Sequence, residues 1–280
     1  MNANFAHCAA LVREADRDRY LATLFAPTRH RDALFSLYAF NTEIVRVRAA
    51  AREPMPGEIR LQWWREIIER ERDGEAAAHP VAAALQEIRS RYGLKPDRFL
   101  GLIDAHVFDL YDEPMATLED LDRFGEKTEG ALFGLAAEIL GDENDTLTRY
   151  AGIGYAIAGI VCCLGQHAAR RQLYIPLEVL ERHGGDREDI FARIATEPIH
   201  AALAELRRHA RRYLAAGQAV LERADPRTLP ALLAAALAGP QLRSMERADA
   251  DPFRPPALAP WWRQWLLWRA ARKPRRIFAT

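Results

Sequence analysis

The chain has 280 residues, enough for one large helical domain with a well-buried core, and its 39 Lys plus Arg residues balance its 39 Asp plus Glu residues. A formal net charge of +0 excludes a global field drawing the protein to nucleic acid or to an anionic membrane, so any charge-driven contact has to be a local patch. Three cysteines, two of them adjacent as Cys162 and Cys163, build no disulfide framework and fit a reducing compartment, with the cytoplasm as the default. No apolar run approaches the roughly 20 residues of a membrane-spanning helix. The N-terminal MNANFAHCAALVREADRDRY lacks both the apolar core of a signal peptide and the acid-poor character of a transit peptide. Lysine occurs only at Lys95, Lys127 and Lys273 among abundant arginine and alanine, the imprint expected of a GC-rich bacterial genome.

In chain order, a first helix is expected over residues 6–24, ended by Pro27, with Leu11, Leu21 and Leu24 as its apolar stripe. Leu34, Leu37, Tyr38 and Ile44 recur at three- and four-residue spacing, which predicts a helix from about Arg31. Pro54, Pro56 and Gly57 break it into a turn, and a second helix carries Leu61, Trp64 and Ile68 until Gly74 closes the pair. Val81, Leu85 and Ile88 predict a helix from His79 to Tyr92 that stops at Gly93. Pro96 opens the next, which runs through Phe99, Leu102, Ile103, Val107 and Leu110, with Pro114 past its end. Thr117 and Asp120 form a capping-box arrangement, so a helix starts there and continues to about Leu140.

Another helix begins after Gly141, near Asp145, and runs through GIGYAIAGIVCCLGQ. Its Gly152, Gly154, Gly159 and Gly165 each cost about 1 kcal/mol relative to alanine, so close packing against a neighbour or a ligand is the expected reason for them. Residues 171–184, with Pro176 and then Gly184 and Gly185, read as a linker. Two long alanine-rich helices, 198–223 and 228–245, flank Asp225 and Pro226. A proline-rich loop (Pro252, Pro255, Pro256, Pro260) leads to a last helix, WWRQWLLWRAARKPRR. No stretch shows the period-two alternation of a strand, and there is no repeat or low-complexity segment, so the fold class is all-α.

The stretch from Arg31 to Glu66, RDALFSLYAFNTEIVRVRAAAREPMPGEIRLQWWRE, resembles the squalene/phytoene synthase family. Members show YAF-C-R-E-hydrophobic-Asp-Asp-hydrophobic-hydrophobic-Asp and then a WWR helix. The frame is kept, but Val45 and Ala49 stand where the family has its two outer aspartates, and Arg46 stands at the second Asp. Two carboxylates four residues apart on one helical face hold the Mg²⁺ that grips a substrate diphosphate; valine, arginine and alanine coordinate no magnesium. The likeness extends to about Leu180, through DGEAAAHPVAAALQEIRSRYGL and FLGLIDAHVFDL, with Asp109 where members have the acid before a leucine.

The family's second acidic motif, N-hydrophobic-hydrophobic-R-D-x-x-E-D-x-x-R-G-R-x-Y-hydrophobic-P, aligns with GIVCCLGQHAARRQLYIP. Tyr174, Pro176 and Arg170 or Arg171 hold its frame; Gly159 falls on the Asn, and Cys163 and His167 fall on the two aspartates. Glu129 before Gly130 departs from the family's Ala-Gly, and a carboxylate there would repel a diphosphate and be costly to desolvate. The missing acids, with AFNTEIVRVR and GIVCCL, are similar to a divergent branch of the family associated with respiratory complex I assembly, in mitochondria and in alphaproteobacteria. The resemblance implies an isoprenoid-synthase-like helical bundle around a central cavity, as a single domain over 1–280 with a Pro-rich loop and terminal Trp/Arg helix over 246–280.

The candidate ligand-binding residues each carry a functional and a structural reading. Arg46 meets a lipid phosphate directly, or it belongs with Arg48 to a solvated face pairing with Glu43. Tyr38, Phe40, Trp63 and Trp64 line a prenyl tunnel or are plain core. Cys163 and His167, four apart, offer half of a zinc site with His106 and Asp109 as guessed partners, or are a small apolar thiol and a histidine near a helix end. Lys127, Arg170 and Arg171 face a diphosphate by position or are surface cations. Trp261, Trp265 and Trp268 with Arg269, Arg272, Lys273, Arg275 and Arg276 lie in a bilayer interface at the inner membrane or pack on the bundle.

The implied function is therefore a non-catalytic pseudoenzyme that partners a respiratory-complex subunit or assembly protein, or binds an isoprenoid or lipid. No catalytic residue, metal or other cofactor is assigned. The alternatives are an active prenyltransferase using Mg²⁺ held by Glu43, Asp104 and Asp109, and a lipid carrier without chemistry.

Overall fold

A computed structural model describes residues 2–50, 53–111, 113–247, 250–255 and 257–278; Pro256 of the proline-rich loop lies outside the described residues. They contain helices and no strand. The expected first helix is in fact two, α1 (Ala3–Ala15) and α2 (Arg17–Thr23). Asp16 breaks the run because its carboxylate accepts from the Arg19 amide at 3.0 Å and pairs with the Arg19 guanidinium at 2.7 Å, starting a new helix instead of extending the old one. The apolar face also differs from the leucine stripe: Phe5, Cys8, Val12 and Ala22 are buried, while Leu24 is exposed.

Helix α3 (Thr28–Ala50) includes Leu34, Leu37, Tyr38 and Ile44 among its buried residues, as their spacing predicts. Pro54 is the first residue of α4 (Pro54–Glu69), so Pro54, Pro56 and Gly57 lie inside the second helix, not in a turn before it. Proline fits there because the first helical N–H groups have no intrahelical acceptor. Helix α4 stops at Arg70, which is left-handed (φ 67°), while Gly74 lies inside α5 (Asp73–Ala78). Helix α6 (Pro80–Tyr92) begins at a His79 cap and ends at left-handed Gly93, and α7 runs from Pro96 to Tyr111.

The capping box at Thr117 and Asp120 is present and starts α8 (Leu118–Gly125), followed by one π-helical turn (Glu126–Gly130) and α9 (Ala131–Leu140). Helix α10 (Asp145–Cys162) stops short of the expected GIVCCLGQ end, since Cys163 leaves helical geometry and starts α11 (Leu164–Ala169). The expected linker contains α12 (Leu177–His183), and α13 (Arg187–Phe191) precedes the long α14 (Glu197–Leu221). The second alanine-rich helix is broken into α15 (Leu229–Leu232), a 3₁₀ stretch (Leu233–Leu237) and α16 (Ala238–Ser244). Pro240 is the reason: its ring would clash with the carbonyl of Ala236 in a continuous α-helix, so the chain tightens and restarts with Pro240 in a first turn. Helix α17 (Pro260–Arg272) closes the series, with a 3₁₀ turn (Pro274–Arg276) after it.

The chain divides into two compact units. One comprises Met1–Tyr111, Ala131–Asp145 and Ala224–Ala234, and the other Asp112–Gly130, Thr146–Arg223 and Ala235–Thr280. In the first, α3 is the central element and is packed by α1, α2, α4, α6, α7 and α9. Its Phe40 meets Trp64 edge-on at 5.3 Å and Phe99 at 5.5 Å. In the second, α12 is tied to the start of α8: the Leu177 amide donates to the Met115 carbonyl at 2.9 Å, and the Leu118 amide donates to Glu178 at 2.6 Å.

Three of the four α10–α11 glycines are explained by close packing within the second unit. A Cβ at Gly152 would overlap the Gly130 backbone, one at Gly154 would lie 2.8 Å from Leu214, and one at Gly165 would overlap the Phe253 carbonyl. Gly159 is the exception to that expectation, with open space where its Cβ would stand.

Candidate functional site

In the first unit, Val45, Arg46 and Ala49 are all exposed on α3, with Val45 50% accessible. Glu43 lies about 200° around the same helix from Val45, and its charge acts on Cys8 and His79 instead. Burial pushes the Cys8 thiol up to about 11, and burial also lowers His79. Arg48 turns to the protein, donating from Nε to the Asp109 carbonyl at 2.8 Å. The buried Asp109 carboxylate is hydrogen-bonded to His106 at 2.7 Å, and Asp104 is paired with Arg65.

Tyr38, Phe40 and Trp64 are buried in the core of this unit. Trp63 is half-buried beside Trp64, its indole N–H donating to Glu75 at 2.8 Å. It lines a groove of about 530 Å³ with Ile59, Leu61, Ile103 and Val107, flanked by Arg65 and Arg72 and by Glu58 and Glu66.

In the second unit, the structure brings Cys163, His167, Arg170 and Tyr174 together. The His167 amide donates to the Cys163 carbonyl at 3.0 Å, and its ring is 4.6 Å from that of Tyr174, which in turn lies 5.7 Å from Phe124. Burial raises the Cys163 thiol pKa and nearby Arg170 offsets part of the effect. Arg171 turns elsewhere: held left-handed at φ 55°, it lies 4.5 Å over Phe191 and pairs with Glu188 at 3.2 Å. Lys127 is exposed and Glu129 half-buried on the π turn.

Among the described residues no three His, Cys, Asp or Glu side chains form a group able to hold a metal ion. At Val45, Arg46 and Ala49 no side chain carries an oxygen ligand, whereas Mg²⁺ takes several hard oxygen ligands at short range.

Sequence reasoning did not find the network around Asp122. His209 and Tyr213, one turn apart on α14, both reach that carboxylate from α8 at 2.7 Å. Arg212 lies 2.6 Å from His209 Nδ1, so the ring bridges the Arg212 guanidinium and the Asp122 carboxylate. The i, i+4 spacing of His209 and Tyr213 was a visible signal, but their acceptor is 87 and 91 residues away. Burial, followed by the hydrogen bond to Asp122, pushes the Tyr213 phenol up to about 12 from its ordinary 10.0. A folded-state pKa above the unfolded one gives stability that is complete below pH 10 and is lost as pH rises towards 12. Urea unfolding at successive alkaline pH values should therefore show a steeper decline for the native chain than for Tyr213→Phe.

The helical architecture of the described residues and the retained YAF and WWR frame define an isoprenoid-synthase-type protein. The pattern of the family described as squalene/phytoene synthase matches residues 12–269, through both units, and the chain belongs to that family. It is 28% identical over 253 residues to the NADH dehydrogenase (ubiquinone) complex I assembly factor 6 of Rattus norvegicus, covering 89% of this chain and 76% of that one. It is 27% identical over 216 residues to the presqualene diphosphate synthase of Rhodopseudomonas palustris, covering 76% and 77%. The crystal structure of squalene synthase HpnC from Alicyclobacillus acidocaldarius superposes with a TM-score of 0.77 at 24% identity over 90% of this chain and 95% of that one, which shows the shared fold.

Proposed function

We propose that this chain is a non-catalytic member of the squalene/phytoene synthase family that acts in assembly of NADH dehydrogenase, respiratory complex I. The observation carrying the reading is the exposed stripe Val45, Arg46 and Ala49 on α3, where the family resemblance calls for magnesium-holding acids. Two of these side chains offer no ligand atom and the third repels a cation. Cys163 and His167 at the second motif agree with it, because a half-buried thiol whose pKa is raised by desolvation stays protonated and is no ligand for a hard ion. The similarity to complex I assembly factor 6 over most of both chains supplies the assembly role.

The similarity to a presqualene diphosphate synthase favours a second reading, an active prenyltransferase. One assay separates them. The purified chain incubated with farnesyl diphosphate and Mg²⁺ should yield no extractable hydrocarbon or presqualene product, and a squalene- or phytoene-like product would overturn the non-catalytic reading. Deletion of the gene should sharply reduce NADH-dehydrogenase activity and assembled complex; normal assembly in the deletion strain would remove the assembly role.

A further inference from the structure

The second unit holds a concentration of positive charge that neither the family frame nor the proposed function uses. Arg243 on α16, Arg269 and Lys273 at the end of α17, and Arg276 on the following turn line one recess of about 330 Å³. No carboxylate lines it; its floor is apolar, from Leu266, Ala270 and Ile277 among others. All four cations are exposed in a chain whose total charge is zero. Glu246, whose charge bears on Arg243, is itself held by Arg211 at 2.7 Å. An adjoining recess shares Arg276 and adds Arg223 and Arg275 against a single acid, Glu222.

The same helix carries an unusual apolar display beside this charge. Trp261, Trp265 and Trp268 are 69%, 39% and 46% exposed, whereas Leu267 and Ala270 are the buried residues of α17. At 3.6 residues per turn the three tryptophans fall within a sector of about 60°, with Arg272 inside it and Arg269 adjoining it. Arg272 lies 4.9 Å over Trp268 and Arg269 lies 5.3 Å over Trp265, so ring and cation face outward together. Tryptophan rings settle at the level of lipid headgroups, where guanidinium and ammonium groups meet phosphates.

We infer that α17 docks on an anionic membrane surface, with Trp261, Trp265 and Trp268 in the interface and a lipid phosphate in the recess of Arg243, Arg269, Lys273 and Arg276. The contact is peripheral: no helix among the described residues is long and apolar enough to cross a membrane. Charge selects the surface, since a phosphate meets four cations and no acid. The tryptophans add an apolar anchor that a soluble anion would not need. The inference stands whether or not the chain assembles complex I.

Flotation of the full chain with phosphatidylcholine vesicles, with and without cardiolipin, tests it. The chain should float with cardiolipin vesicles only, and lose that binding as salt is raised. Arg243→Gln/Lys273→Gln/Arg276→Gln removes three exposed cations and should lower partitioning about a hundredfold. Trp261→Ser/Trp268→Ser should also weaken binding while leaving its salt dependence in place. Circular dichroism of both variants should match the native chain because the altered side chains are exposed. Equal flotation with neutral vesicles, or an unimpaired triple variant, would overturn the inference. So would saturable inorganic phosphate binding by a chain that ignores cardiolipin, which would assign the recess to a soluble anion.

Discussion

Replacing Gly152 by alanine is expected to destabilise the second unit by about 3 kcal/mol or more, lowering the thermal midpoint by roughly 6–12 °C or preventing folding outright. The new Cβ would overlap the amide and Cα of Gly130 and stand 2.8 Å from the carbonyl carbon of Glu129. All of these are backbone atoms, which cannot swing aside as a side-chain tip does. Helix α10 and the π turn would have to separate. Gly159→Ala, two turns further along the same helix, supplies the control. Nothing lies within 4 Å of its Cβ, so the substitution should add about 0.5–1 kcal/mol through lost chain entropy in the unfolded state. Differential scanning calorimetry of the pair gives the comparison, and equal midpoints for the two variants would contradict the packing account.

Trp64→Ala carries the other large expected effect, a loss of about 3–5 kcal/mol from the first unit. Trp64 is only 1% exposed and is among the largest side chains fully enclosed in the molecule. It contacts Phe40, Trp63 and His79 edge-on or nearly so, at 5.3, 5.0 and 5.5 Å. Truncation therefore leaves a cavity on the central helix α3 and removes three ring contacts together. Urea unfolding should show the midpoint falling with little change in slope, while Trp64→Phe should retain most of the stability. Trp63→Ala should cost much less, since Trp63 is half-exposed and its indole hydrogen bond to Glu75 is on the surface. If the two tryptophans proved equivalent, the assignment of Trp64 to the core would fail.

Adjacent and chemically identical in the sequence, Trp63 and Trp64 show where one-dimensional reading stops. The WWR frame marks both, yet the 100° between successive helical residues turns one inward to Phe40 and leaves the other at the rim of a groove. Arg170 and Arg171 part in the same way: Arg170 stays with Cys163, while the left-handed backbone at Arg171 carries its guanidinium to Phe191 and Glu188. Asp16 and Pro240 show the converse failure, local breakers whose short-range chemistry outweighs a hydrophobic period that continues through them. The proposed membrane face was half legible. Tryptophan spacing and a basic end were visible along the chain, but the inclusion of Arg243 from α16 was not.

Helical class and the positions of the caps at Gly93 and Thr117 follow from the sequence alone. They depend on periodicity, on backbone geometry within four or five residues, and on the chemistry of single side chains. The pairing of Gly130 with Gly152, the bridge of Asp122 to His209 and Tyr213, and the convergence of four cations beside α17 were decided by tertiary structure. Each joins residues from different elements, and such contacts are set by which faces pack together, a property no local window of the chain contains.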